Sequence, residues 1–168
     1  SSNNITLDHA TNNFAAAVEI ASGNDVEITD EDAIILGAST VSGTYDITAD
    51  GAVTNSGTLE ISGITTIAAG SSNNITLDHS TNNFAAAVEI ASGNDVAITD
   101  EDAIILGAST VSGTYDITAG GVVTNSGTLE ISGITTIAAG SSNNITLNSA
   151  ANNFAAAVKI ASGNDVAI

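Results

Sequence analysis

Apolar residues along this chain come in short alternating runs. In Val26-Glu27-Ile28-Thr29, Tyr45-Asp46-Ile47-Thr48 and Leu59-Glu60-Ile61-Ser62 every second position is aliphatic or aromatic, and an acid stands between. A period of two puts the apolar side chains on one face of a strand and the acids on the other, facing water. The spacers are Gly, Asn, Ser and Asp, so the pattern predicts strands and turns rather than helices. Gly23-Asn24 and Gly51 fall at corners where a left-handed backbone is expected.

The runs align with one another. Residues 25–29, 44–48 and 64–68 start at nearly equal intervals and read as the first strand of successive coils. Residues 33–37, 52–55 and 74–78 supply the second strand, and 39–42, 58–62 and 83–92 the third. Three short strands and three turns in ~20 residues make one rung of a parallel β-helix, and rungs stack about 4.8 Å apart. The fold expected is therefore an all-β parallel β-helix (β-solenoid). Its lumen is filled by Val26, Ile28, Ile34, Leu36, Val41, Tyr45, Ile47, Val53, Leu59, Ile61, Ile67, Ile75, Leu77, Phe84, Val88 and Ile90. Asn13, Asn24 and Asn55 are candidates for amide ladders.

A longer period overlies the short one. Residues 1–70 recur as 71–140 with four changes: Ala10 to Ser80, Glu27 to Ala97, Asp50 to Gly120 and Ala52 to Val122. Residues 141–168 begin a third copy. The domain organisation expected is one continuous rod: solenoid repeat 1 over 1–70, repeat 2 over 71–140 and a partial repeat 3 over 141–168. Each full repeat holds about three coils, two short and one long, the long one running from 64 to 93. About seven coils give a rod of about 35 Å. Solenoids close their open ends with atypical capping units. Both ends here are in mid-pattern, so we expect a window of a longer chain or fibre. Open rungs at Ser1 and Ile168 would let identical subunits stack end to end.

At this point the residues resemble a known group. Asn73-Asn74-Ile75-Thr76-Leu77-Asp78, Asn83-Phe84-Ala85-Ala86-Ala87-Val88, Asp95-Val96-Ala97-Ile98-Thr99-Asp100, Ala103-Ile104-Ile105-Leu106-Gly107 and Thr128-Leu129-Glu130-Ile131-Ser132-Gly133 are similar to repeats of large filamentous-haemagglutinin-type bacterial adhesins. The resemblance implies a right-handed parallel β-helix, secretion to the cell surface through an outer-membrane partner, and a role in attachment or biofilm cohesion. The residues themselves, with the same pattern in every unit, lead us to expect a structural fibre rather than an enzyme.

Charge narrows the partners. There are 19 acidic residues against one Lys or Arg, a formal net charge of −18. Nucleic-acid binding depends on neutralising phosphates with cations, and an anionic membrane surface repels an acidic chain, so neither is expected. No apolar stretch approaches the ~18 residues of a membrane span. Neighbouring repeats, identical subunits and cell-surface glycans remain as expected partners. No cofactor is expected, with one exception to weigh. Asp30, Glu31 and Asp32, repeated as Asp100, Glu101 and Asp102, gather hard oxygen ligands in a turn, and Ca²⁺ takes six to eight of these. The other reading is a solvated acidic corner that keeps the rod soluble. Equivalent acids would recur about 14 Å apart, three coils at the rung spacing, beyond the screening length at physiological salt.

Other constellations carry less chemistry. Asp8-His9 and Asp78-His79 tempt a catalytic reading beside the many serines, but the third copy has Asn148-Ser149 there. A triad needs a fixed nucleophile and an oriented base. The one Lys, Lys159, replaces Glu19 and Glu89 of the other copies, and no glycine cluster precedes it as a phosphate loop requires. Acids repeated on every unit do not make the unique carboxylate pair of a glycosidase. Thr65-Thr66 and Thr135-Thr136 are too sparse for the regular hydroxyl lattice of an ice-binding face.

Overall fold

The computed structural model describes residues 3–168, and among them there are strands and turns but no helix. Ser1, and with it the open edge expected there, lies outside the described residues. Every strand pairing is parallel, the arrangement of a β-solenoid.

Two sheets form the walls. One has 11 strands; its continuous path runs through Ile5–Leu7, Val26–Asp30, Tyr45–Ala49, Thr65–Ala68, Ala87–Gly93, Ile104–Val111, Val123–Asn125, Ile145–Thr146 and Val166–Ala167, with Leu129–Ile131 and Asn153–Phe154 beside it. The other has 10: Val18–Gly23, Ile34–Val41, Val53–Asn55, Ile75–Leu77, Val96–Asp100, Tyr115–Ala119, Thr135–Ala138 and Val158–Ser162, flanked by Leu59–Ile61 and Asn83–Phe84. The aligned starts hold: Val26 pairs with Tyr45 and Tyr45 with Thr65. The expected second and third strands fuse in places. Ile34–Val41 is one strand whose first half lies on Val53–Asn55 and whose second half lies on Leu59–Ile61.

Coil by coil, "about three" per repeat resolves to three and a half. The segment 83–92, expected as one long third strand, divides. Asn83–Phe84 lies on Glu60–Ile61, while Ala87–Gly93 has gone round a further half turn onto Thr65–Ala68. The strand path from Ile5–Leu7 to Ile145–Thr146, two repeats, takes seven steps, through Val26–Asp30, Tyr45–Ala49, Thr65–Ala68, Ala87–Gly93, Ile104–Val111 and Val123–Asn125. One further step reaches Val166. Eight steps at the rung spacing make a rod of about 38 Å.

All sixteen residues expected in the lumen are buried. They stack in register, as in Leu7-Ile28-Ile47-Ile67-Ile90 on one wall and Leu77-Ile98-Ile117-Ile137-Ile160 on the other. Each side chain covers the one below, so removal of apolar area from water proceeds rung by rung. The corner glycines act differently from expectation. Positive φ occurs, among the described residues, at Gly70 and Gly140 alone (80° and 77°). Gly51 is required by space, since a Cβ there would sit 2.5 Å from the Ala33 nitrogen of the rung below.

Candidate functional site

The acidic corner is built from the turn that follows Val26–Asp30 and Val96–Asp100. Alternation along these strands turns the last residue inward: Asp30 and Asp100 are buried, 1% and 2% exposed. Each carboxylate is consumed by backbone. Asp30 accepts from the Phe14 and Asp32 amides, both at 2.9 Å. Asp100 accepts from Phe84 at 3.0 Å and Asp102 at 2.9 Å. Glu31 and Asp32 stay exposed and receive the Asn13 side-chain amide at 3.3 and 3.0 Å. The three acids of each corner therefore do not converge on one point. Among the described residues no group of three or more His, Asp or Glu side chains is placed to hold a metal ion. Burial raises the Asp100 carboxyl above its ordinary range, the two amide donors oppose this, and Asp102 and Glu101 add repulsion.

His9 and His79 close their own turns. The ring Nδ1 of each lies 3.0 Å from the hydroxyl of the threonine two positions on, Thr11 or Thr81. Their hydrogen bonds are local and bring no serine nucleophile to the imidazole. Of the amides singled out in the sequence, Asn24 donates to Asn4 at 3.0 Å and Asn55 to Asn82 at 2.8 Å, and both bonds recur one repeat on, from Asn94 to Asn74 and from Asn125 to Asn152. Asn13 reaches the acids instead.

Two features were not read from the sequence. The first is a shallow groove, about 430 Å³, between Glu19 and Glu60, floored by Ile20, Ala38 and Ser39 and edged by Thr40 and Thr58. Its counterpart between Glu89 and Glu130, about 360 Å³, has every one of these residues one repeat on. Register breaks between Val18–Gly23 and Ile34–Val41, and between Ala87–Gly93 and Ile104–Val111, open the grooves. A bulge displaces one strand relative to its neighbour, and period-two patterning alone does not announce it. Gly37 and Gly107 lie beneath the glutamates; a Cβ at either would come within 2.4 Å of the Glu19 or Glu89 Cγ.

The second is polar and internal. Thr65 and Thr135 point into the lumen, 0% and 1% exposed, and their hydroxyls have no hydrogen-bond partner. Each lies in register between a tyrosine, Tyr45 or Tyr115, and a valine, Val88 or Val158. Desolvation pushes the Tyr45 phenol up to about 12, so it is neutral at physiological pH. A buried hydroxyl without a partner costs about 1–3 kcal/mol. We therefore expect Thr135→Val, equal in volume, to raise stability by about 1 kcal/mol and the melting temperature by about 2–4 °C. Calorimetry of the variant checks this, and a lowered melt would show that the hydroxyl is satisfied.

Set beside known proteins, the chain matches a family model described as repeats of unknown function (DUF5649) twice, over residues 23–91 and 93–161. The matches begin at positions 23 and 93, one internal period apart. No curated protein and no solved structure matches the chain.

Proposed function

The chain belongs to this family of repeats of unknown function, and from that premise we propose that it is a structural segment of an extracellular fibre or stalk, part of a repetitive surface adhesin serving cell attachment or matrix cohesion. The observation that carries the reading is the unbroken stack of lumen residues through both repeats, the same in each copy. Solenoid energy is close to nearest-neighbour, so length is added without altering the unit, and length is the property a stalk needs. The resemblance of the strings around Asn73 and Thr128 to filamentous-haemagglutinin-type repeats supports the surface location and the adhesive context. The surplus of 18 negative charges supports it further, since like-charged rods repel and stay separate.

Attachment of cells that display the full array should fall stepwise as repeats are removed two at a time, with each removal shortening the rod by about 34 Å. Attachment that survives complete removal of the repeats would discard the stalk reading. The grooves favour one second reading, carbohydrate capture along the rod: open carboxylates and threonine hydroxyls are suited to the hydroxyl groups of a sugar. Glycan-array binding by the purified chain, lost in Glu60→Gln with Glu130→Gln, would support it. A blank array would remove it and leave the stalk reading standing.

A further inference from the structure

Each strand described in the first repeat has its counterpart, one repeat on, in the opposite sheet. Ile5–Leu7 is in the 11-stranded sheet and Ile75–Leu77 in the 10-stranded one; Val18–Gly23 is in the 10-stranded sheet and Ala87–Gly93 in the 11-stranded one. The same exchange holds for Val26–Asp30 against Val96–Asp100, Ile34–Val41 against Ile104–Val111, and Leu59–Ile61 against Leu129–Ile131. After two repeats the chain returns to its first wall, as Ile145–Thr146 and Val158–Ser162 show.

From this exchange we infer that the sequence repeat is half of the structural period, and that the rod displays its surface alternately on two opposite faces. The half coil gained in each repeat turns the next copy by half a revolution while advancing it about 17 Å, so copies two apart face the same way about 34 Å along the axis. The acids expected every three coils, about 14 Å apart along the rod, recur instead every three and a half coils and on alternate sides. The Glu19–Glu60 groove opens on one face and the Glu89–Glu130 groove on the other. A partner that recognises one repeat therefore meets the rod from both sides, and the rod can lie between two identical partners. Repeat number acquires a parity: losing one repeat turns everything beyond it to the opposite side, whereas losing two preserves facing. The inference rests on strand pairing and stands apart from the stalk reading.

Positions 19, 89 and 159 test it on the full chain. They occupy equivalent outward sites on Val18–Gly23, Ala87–Gly93 and Val158–Ser162, and the site accepts both Glu and Lys in the native sequence. Three double variants are spin-labelled and measured by pulsed dipolar spectroscopy: Glu19→Cys with Glu89→Cys, Glu89→Cys with Lys159→Cys, and Glu19→Cys with Lys159→Cys, each checked for the wild-type circular dichroism. Labels on opposite faces are separated by the axial step and by the ~10 Å between sheets, with their arms pointing apart, so the two shorter distances should together exceed the longest by about a quarter or more. The 19-to-159 distance should be about 34 Å, seven rungs at the strand spacing. A sum below that margin places the labels in a straight row and overturns the alternation.

Discussion

Replacing Ile117 by alanine is expected to lower the free energy of unfolding by about 3–4 kcal/mol, in the upper part of the range for truncating a buried isoleucine. Ile117 is 1% exposed and stands in register between Ile98 below and Ile137 above. The size of such a loss depends on whether the surroundings collapse into the space. Here they are held: the strand of Ile117 is hydrogen-bonded into ladders on both sides, with Val96–Asp100 and with Thr135–Ala138, so closing the void would mean breaking rungs. Ile47, its counterpart one repeat earlier between Ile28 and Ile67, should respond alike. Ile160 is only partly buried, and Ile160→Ala should cost about half as much. Urea unfolding of the three variants supplies the comparison. A loss at Ile160 equal to that at Ile117 would mean that the column does not act rung by rung.

The column itself was legible in the sequence because a period of two settles which way a side chain faces, and facing is local. Val26, Tyr45 and Thr65 align on the same grounds, from spacing alone. What local periodicity does not carry is how far the chain has turned about the axis. The residues between Thr65–Ala68 and Ala87–Gly93 span a whole coil with an extra turn at His79 to Asn82, and only the pairing of Ala87–Gly93 back onto Thr65–Ala68 reveals the additional half turn. The acidic corner shows the same limit. Asp-Glu-Asp reads as three ligands because the one-dimensional string places them together, yet alternation continues through Asp30 and Asp100 and turns them inward while their neighbours face water. Gly51 illustrates a third case: glycine signals a special requirement without saying whether that requirement is a left-handed φ or an absent Cβ. The grooves left no mark in the pattern, since a register break is a relation between two strands.

Removing the Asp100 carboxylate is the second large effect expected. Asp100→Ala strands the Phe84 amide, which is buried, and the Asp102 amide, which is partly so. Buried donors left without acceptors cost about 1–3 kcal/mol each, and we expect a total of about 2–4 kcal/mol, a melting temperature lower by about 4–16 °C. Asp100→Asn should recover part of this, because its one carbonyl oxygen satisfies a single amide while its NH₂ confronts the other. The loss should also depend on pH. Burial holds the folded-state carboxyl above its ordinary value, so the folded chain binds this proton more tightly than the unfolded one does. Between the ordinary and the raised value the folded state carries the extra proton, and stability falls as pH rises through that window. Acidification from pH 7 to about 4.5, close to the ordinary carboxylate range, should then stabilise the wild type more than Asp100→Ala. General repulsion among the other acids is relieved in both proteins and cancels in the difference. The cost of the substitution, measured by urea unfolding at the two pH values, is thus expected to be larger at the lower one. A smaller cost there would mean that Asp100 is stabilised as the anion by its two amides, with burial the lesser influence.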